Sequence, residues 1–295
     1  VSEKYLGSFG KGRFKHIPRI LREGDWLLSP RVFFKTTATY LLWKNNYSQF
    51  FGRFIDPIYE KNTPAWIKDE GLAHLYKMTD KKGFLNYVFI KKTFAMFNGD
   101  IDDQLNLLID VLNPVYDLLF DVKENLERTT KIITRDYNID SPSPLEKILI
   151  DLLKEIEPRL PENNRAAFFD VLYKLHLEKI ESIKQRDHNL SNEDLRRIEF
   201  RKGGYLMTLY ALSNSRNYKQ EELDTFFILG ALLQTADDFN SIKEDVEQEV
   251  ETLTTRKLIV PEEQWIIRDR IMWQLYSYVK KYNYDVDEVK NFSIE

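Results

Sequence analysis

The sequence predicts an all-α protein: one helical bundle over residues 1–295, with 1–60 its least defined part. Three observations predict it. Apolar residues recur at three- and four-residue steps almost throughout. Glycine is scarce, at 11 of 295 residues, and alternating strand patterns are rare. Segment boundaries carry helix-start chemistry.

Taken in order, the helical runs begin with "YLLWKNNYSQFFGRFIDPIY" (40–59) and "DDQLNLLIDVLNPVYDLLFDVKENLERTTKII" (102–133). "TRDYNIDSPSP" (134–144) follows as a surface loop, too short for a domain linker. "SPLEKILIDLLKEI" opens on a Ser cap with Pro in the first turn. "NNRAAFFDVLYKLHLEKIESIKQ" is next, then "NEDLRRIEFRKGGYLMTLYAL", which Ser191 precedes with Asp194 three residues on, a loose capping box. Residues 222–254 read as one helix, apolar nearly all round in "FFILGALLQTA" and so central in the bundle. "PEEQWIIRDRIMWQLYSYVKKY" starts on Pro261 and acids. No repeat and no low-complexity linker divides the chain.

Composition narrows the class. Hydrophobic residues at 43% are enough for a real core, and aromatics at 14% leave rings for lining a cavity. A net charge of −4 does not read as a nucleic-acid binder. With no cysteine there is neither disulfide nor thiolate metal site, and the default compartment is a reducing cytoplasm. His16, His74, His176 and His188 are too scattered for a His-rich metal site. No run approaches the ~18 apolar residues of a membrane span. The basic start "VSEKYLGSFGKGRFKHIPRI" lacks a signal-peptide apolar region and reads as a solvated tail, with contact to an anionic membrane surface the alternative.

Three segments carry candidate chemistry. In "LLQTADDFNSIKED" an apolar helix ends in acid. Residues four apart lie nearly in line, so Asp237, Ser241 and Asp245 form one oxygen stripe about 12 Å long. A hard cation such as Mg2+ takes oxygen ligands and keeps room for water and phosphate. Asp238 starts a neighbouring stripe. The alternative is a solvated acidic face. In "YDLLFD", Asp117 and Asp121 are also four apart on an otherwise apolar helix, where unpaired carboxylates would be costly. A shared cation explains them, as would pairing of Asp121 with Lys123 or Arg128. The third segment, "LRRIEFRKGGYLMTLYAL", sets Arg196, Arg197, Arg201 and Lys202 before Gly203 and Gly204. Two glycines in a helix cost about 1 kcal/mol each relative to Ala. They imply a backbone break or a close approach. Cations beside a break suit a bound anion, and a basic solvated face is the alternative.

These segments, in this order, resemble the class I isoprenoid synthase superfamily: trans-prenyltransferases, squalene and phytoene synthases, and class I terpene cyclases. The resemblance covers about residues 95–260. It is strongest at "GALLQTADDFNSIKED", where Gly230, Leu233, Gln234, Asp237 and Asp238 match the lead-in and acids of the second aspartate motif. It implies an all-α fold around a deep apolar cavity, with two acidic helices facing each other across the mouth. It also implies Mg2+, three ions with diphosphate bound, held by Asp117, Asp121, Asp237, Asp238, Ser241 and Asp245. Arg197, Arg201, Lys202 and Arg256 would bind the diphosphate of a prenyl substrate. Asp117, Asp121, Asp237 and Lys202 would be the catalytic set.

Two departures bear on the subclass. The first motif has Leu118 where elongating enzymes have a second Asp, and Asp237, Ser241 and Asp245 match the metal triad of cyclases, with Asp for its last Glu. The expected activity is that of a terpene synthase, which ionises a prenyl diphosphate and lets the cation cyclise or lose a proton. The alternatives are a prenyltransferase joining prenyl units head-to-tail or head-to-head, and a non-catalytic helical lipid or partner binder. Candidate cavity aromatics are Phe94, Phe97, Phe169, Tyr173, Tyr205, Phe227 and Trp273. A homodimer is common among proteins of this resemblance.

Overall fold

A computed structural model describes residues 44–62, 90–91, 93–94, 97, 102–121, 126–186, 189–259 and 277–281. Trp273, Pro261, Lys123, His16, His74 and His188 lie outside them, and so does the side chain of Asp121. All regular structure among the described residues is helical, as the periodicity requires. No helix among them is long and apolar enough to cross a membrane.

The helices of the described residues include α1 (Asp56–Asn62), α2 (Asp103–Asp121), α3 (Leu126–Ile133), α4 (Pro144–Ile156), α5 (Glu162–Ser182), α6 (Asn192–Leu212), α7 (Gln220–Asn240) and α8 (Ile242–Glu247). A π-helical turn, Phe51–Ile55, leads into α1. Within the 102–133 run, residues 122–125 lie outside the described residues.

The start signals at Ser143 and Ser191 both act as N-caps, the box being closed only at Ser143, and the one at Pro261 lies outside the described residues. Ser143 accepts the backbone N–H of Glu146, whose carboxylate returns to the N–H of Ser143 at 2.8 Å, and Pro144 fills the first turn. Glu146 is also the bidentate partner of Arg128, with both N–O distances 2.8 Å. Ser191 accepts from Asp194 N at 3.0 Å and starts α6.

The main core gathers α2, α4, α5, α6 and α7. Leu105, Leu108, Val111 and Leu119 of α2 meet Ile148, Leu152 and Leu153 of α4, with Phe168, Leu172 and Leu175 of α5 in the same cluster. The α6–α7 pair is the most extensive helix contact, with α5–α6 next.

Glycines set that pairing. Helix α6 runs unbroken through Gly203 and Gly204, so the expected break does not occur. The close approach does. A methyl on Gly203 would lie 2.8 Å from the carbonyl carbon of Gly230, and one on Gly230 would lie 2.8 Å from the carbonyl carbon of Gly203. The two main chains touch there. A methyl on Gly204 would meet the Phe227 ring at 2.6 Å. The helix penalty of two glycines is offset by backbone contact that no larger residue permits.

Helix α7 is shorter than the 222–254 reading. It ends at Asn240, Ser241 sits at φ −96° and ψ 1°, and α8 stops at Glu247. The chain then turns, with Glu249 at φ 57°.

Candidate functional site

The acidic end of α7 lies against the first half of α6 because the Gly203–Gly230 crossing holds the helices together just above it. Gln234 packs at the same crossing and donates to Asp238 Oδ1 at 2.9 Å. Asp238 is buried, at 5% exposure. Across from it is Glu199 of α6, at 1% exposure. Glu199 Oε1 accepts the N–H of Leu253 at 2.7 Å. The two remaining oxygens face each other, and the Glu199 carboxyl hydrogen-bonds Asp238. Burial first, and the neighbouring Asp238 second, push the Glu199 carboxyl far above the usual range, so it holds its proton at neutral pH.

The expected oxygen stripe keeps its register through the end of α7. Ser241 N bonds to Asp237 O and Asp245 N to Ser241 O, both at 2.9 Å. The Ser241 hydroxyl reaches Asp245 Oδ2 at 3.0 Å and the Asp237 carbonyl at 3.1 Å. Asp237 is exposed and Asp245 half-buried. Burial raises the Asp245 carboxyl, the Asp238 and Asp237 charges add to this, and the Ser241 bond and Lys202 oppose it.

Lys202 stands beside this group on α6. Its charge acts on both Glu199 and Asp245, yet it makes no ion pair with a described residue. The other expected anion-binding cations are engaged. Arg201 pairs with Glu178 of α5 at 3.0 Å, and Arg197 reaches Glu178 at 3.7 Å and Asp194 at 3.0 Å. Arg256 donates to Leu190 O at 2.7 Å and Asn192 Oδ1 at 3.0 Å and pairs with Glu251. It ties the turn after α8 to the start of α6.

Asp117 lies on α2, half-exposed, where Asn113 donates to its Oδ2 at 3.2 Å. Its counter-ion is Lys179 of α5, a side chain only 5% exposed whose ammonium also sits 5.3 Å over the Tyr116 ring. Successive residues of α5 therefore hold the two partners: Lys179 takes acidic α2, and Glu178 takes basic α6. No described contact joins Asp117 directly to the acids of α7. Among the described residues no three His, Asp or Glu side chains converge as a metal-binding group. The donor set near Ser241 nonetheless suits a hard cation: it is all oxygen, and the Asp238 and Asp237 charges repel Asp245.

Of the expected cavity aromatics, Phe94 and Phe97 are core, and Phe169 stacks under Arg135 at 4.6 Å. Tyr173 is exposed. Tyr205 and Phe227 are half-buried, edge-to-face at 5.3 Å, about one turn from Lys202.

Glu199, Glu178 and Lys179 escaped the sequence reading. Glu199 is three residues from Lys202 and reads as half of a surface ion pair. "LEK" at 177–179 carries no spacing signal.

Comparison with protein-family models, with curated proteins and with solved structures gives no match to this chain.

Proposed function

We propose that the chain is a Mg2+-dependent class I terpene synthase, built as a helical bundle around an apolar cavity, that ionises a prenyl diphosphate and releases pyrophosphate. The observation that carries this reading is the α6–α7 crossing, which sets Lys202, without an ion pair among the described residues, beside Asp238, Ser241 and Asp245. A cation and an oxygen-rich metal site side by side are what a diphosphate–metal complex requires.

In this reading Asp237, Ser241 and Asp245 hold metal from one side, with Asp238 behind them, and Asp117 and Asp121 from the other. Mg2+, when bound, supplies Lewis-acid neutralisation of the diphosphate. Lys202 donates to diphosphate oxygens. Arg197 and Arg201 join it by exchanging Glu178 for phosphate. The Tyr205 and Phe227 rings offer π-faces to an allylic cation without adding to it. The apolar surroundings keep water from it.

The test is incubation with Mg2+ and geranyl, farnesyl or geranylgeranyl diphosphate, with products read by mass spectrometry. A terpene hydrocarbon or alcohol that disappears with EDTA is expected. A longer diphosphate, formed only when isopentenyl diphosphate is added, would replace this reading with the prenyltransferase. Absence of product from every substrate would leave a non-catalytic binder.

A further inference from the structure

Helix α2 carries a second polar feature, two turns inward from Asp117. Asn106, Asp110, Asn113 and Asp117 are spaced four, three and four residues apart, so they share one helix face. Burial deepens along the row. The Asp117 side chain is 47% exposed, Asp110 is 3% and Asn106 is 0%. Asp110 Oδ1 accepts the hydroxyl of Tyr210 from α6. Asp110 Oδ2 has no partner, and neither the Nδ2 nor the Oδ1 of Asn106 has one. Pro114 adds to the deficit, because it lacks the N–H that would bond the Asp110 carbonyl in a regular helix.

Unmet polar atoms at this depth are rare, since each forfeits most of its hydrogen-bond energy. A buried carboxyl beside a wholly buried amide, both with free positions, marks a place where a polar ligand group completes the bonding.

The chemistry of that group follows from the donors and acceptors. Burial pushes the Asp110 carboxyl well up, so it is neutral and its Oδ2 is a donor. Asn106 adds an amide donor and a carbonyl acceptor. With no formal charge at the site, an ion would go unneutralised. A group that gives one hydrogen bond and takes two is an O–H.

We propose that Asn106 and Asp110, with Tyr210 orienting Asp110, form an internal binding site for a neutral hydroxyl. Its occupant is an ordered water or the alcohol of a bound terpenoid. The water arm stands whatever the reaction is, and the alcohol arm rests on the function proposed above.

A crystal structure of the full chain without ligand, at a resolution that orders water, is expected to show a solvent peak within hydrogen-bond distance of the Asn106 amide and Asp110 Oδ2. A farnesol soak separates the sources: an alcohol oxygen at that place identifies the ligand hydroxyl, and an unchanged peak identifies water. A dry site in both crystals overturns the proposal. Stability gives an independent sign. Asn106→Leu discards bonds to an occupant and lowers Tm by about 3–6 °C. If the amide is truly orphaned, the same change removes a buried penalty and raises Tm, which also overturns the proposal. Asp110→Asn keeps the Tyr210 acceptor and puts a neutral donor in place of Oδ2. The peak should survive, and its loss in a folded Asp110→Asn protein would refute a neutral site.

Discussion

Thr130 has one hydroxyl proton and gives it to Leu126 O at 2.7 Å, so the oxygen it turns to His176 Nε2, also at 2.7 Å, is an acceptor. His176 therefore carries its proton on Nε2, and Nδ1 accepts from the Tyr116 hydroxyl. Both ring nitrogens are used with the ring neutral. Burial, aided by the Lys179 charge, holds its pKa down at about 4 against 6.5 unfolded. The unfolded chain thus takes the proton first. Stability from this site is complete above the unfolded value and is lost as pH falls from there toward 4. His176→Gln retains a donor for Thr130 but does not titrate. Between pH 7.5 and 4.5 wild type should lose about 2 kcal/mol more than the variant in urea unfolding. The comparison cancels the carboxylates common to both, and parallel pH profiles would disprove the assignment. Lys202 supplies the matching residue-scale prediction for function. Charge-assisted bonds to diphosphate contribute about 1.5–3 kcal/mol. Lys202→Ala should then reduce kcat/KM about tenfold to a hundredfold and weaken inhibition by free pyrophosphate. Inhibition as strong as in wild type would remove Lys202 from the site.

At the scale of elements, the α6–α7 crossing decides where Lys202 lies relative to the acids. Gly203→Ala and Gly230→Ala each force a methyl into the facing main chain, which has no rotamer to yield. Each should destabilise the protein by about 3 kcal/mol or more, beyond ordinary overpacking. Gly52 is the control: a methyl there meets only Asp56 Oδ2, at 3.6 Å, so Gly52→Ala should be close to neutral. Equal losses at Gly52 and Gly203 in denaturant titrations would show that helix propensity, not backbone contact, sets the effect. A cap gives a smaller value: Ser143→Ala removes the hydroxyl that accepts Glu146 N and should cost about 1 kcal/mol.

At the scale of the molecule, helix positions and caps were legible because they depend on spacing along one chain. The acid stripe at Asp237, Ser241 and Asp245 was legible for the same reason. Glu199, Glu178 and Lys179 were not, because their roles arise between helices, and sequence does not tell which helix an adjacent charge will face. The glycine pair was seen as a signal but not as a crossing, since its partner Gly230 is on another element. This inter-helix layer changes what a substitution of Asp117 must do. Lys179 is nearly buried, and Asp117 is its counter-ion. Asp117→Asn therefore weakens that pair and, on the proposed function, also removes a metal ligand. Breaking a fully buried pair costs about 3–5 kcal/mol, and the half-exposure of Asp117 lowers that to roughly 1–3 kcal/mol. Asp117→Asn alone should lower Tm measurably. Adding Lys179→Met closes a double-mutant cycle, whose coupling free energy measures the Asp117–Lys179 pair apart from the other contacts of Lys179. Turnover of prenyl diphosphate should stay abolished in both variants, because the neutral amide is a poor substitute for a carboxylate at a hard cation. Wild-type turnover in Asp117→Asn would mean that Asp117 serves only the pair with Lys179, and the acidic face of α2 would drop out of the proposed site.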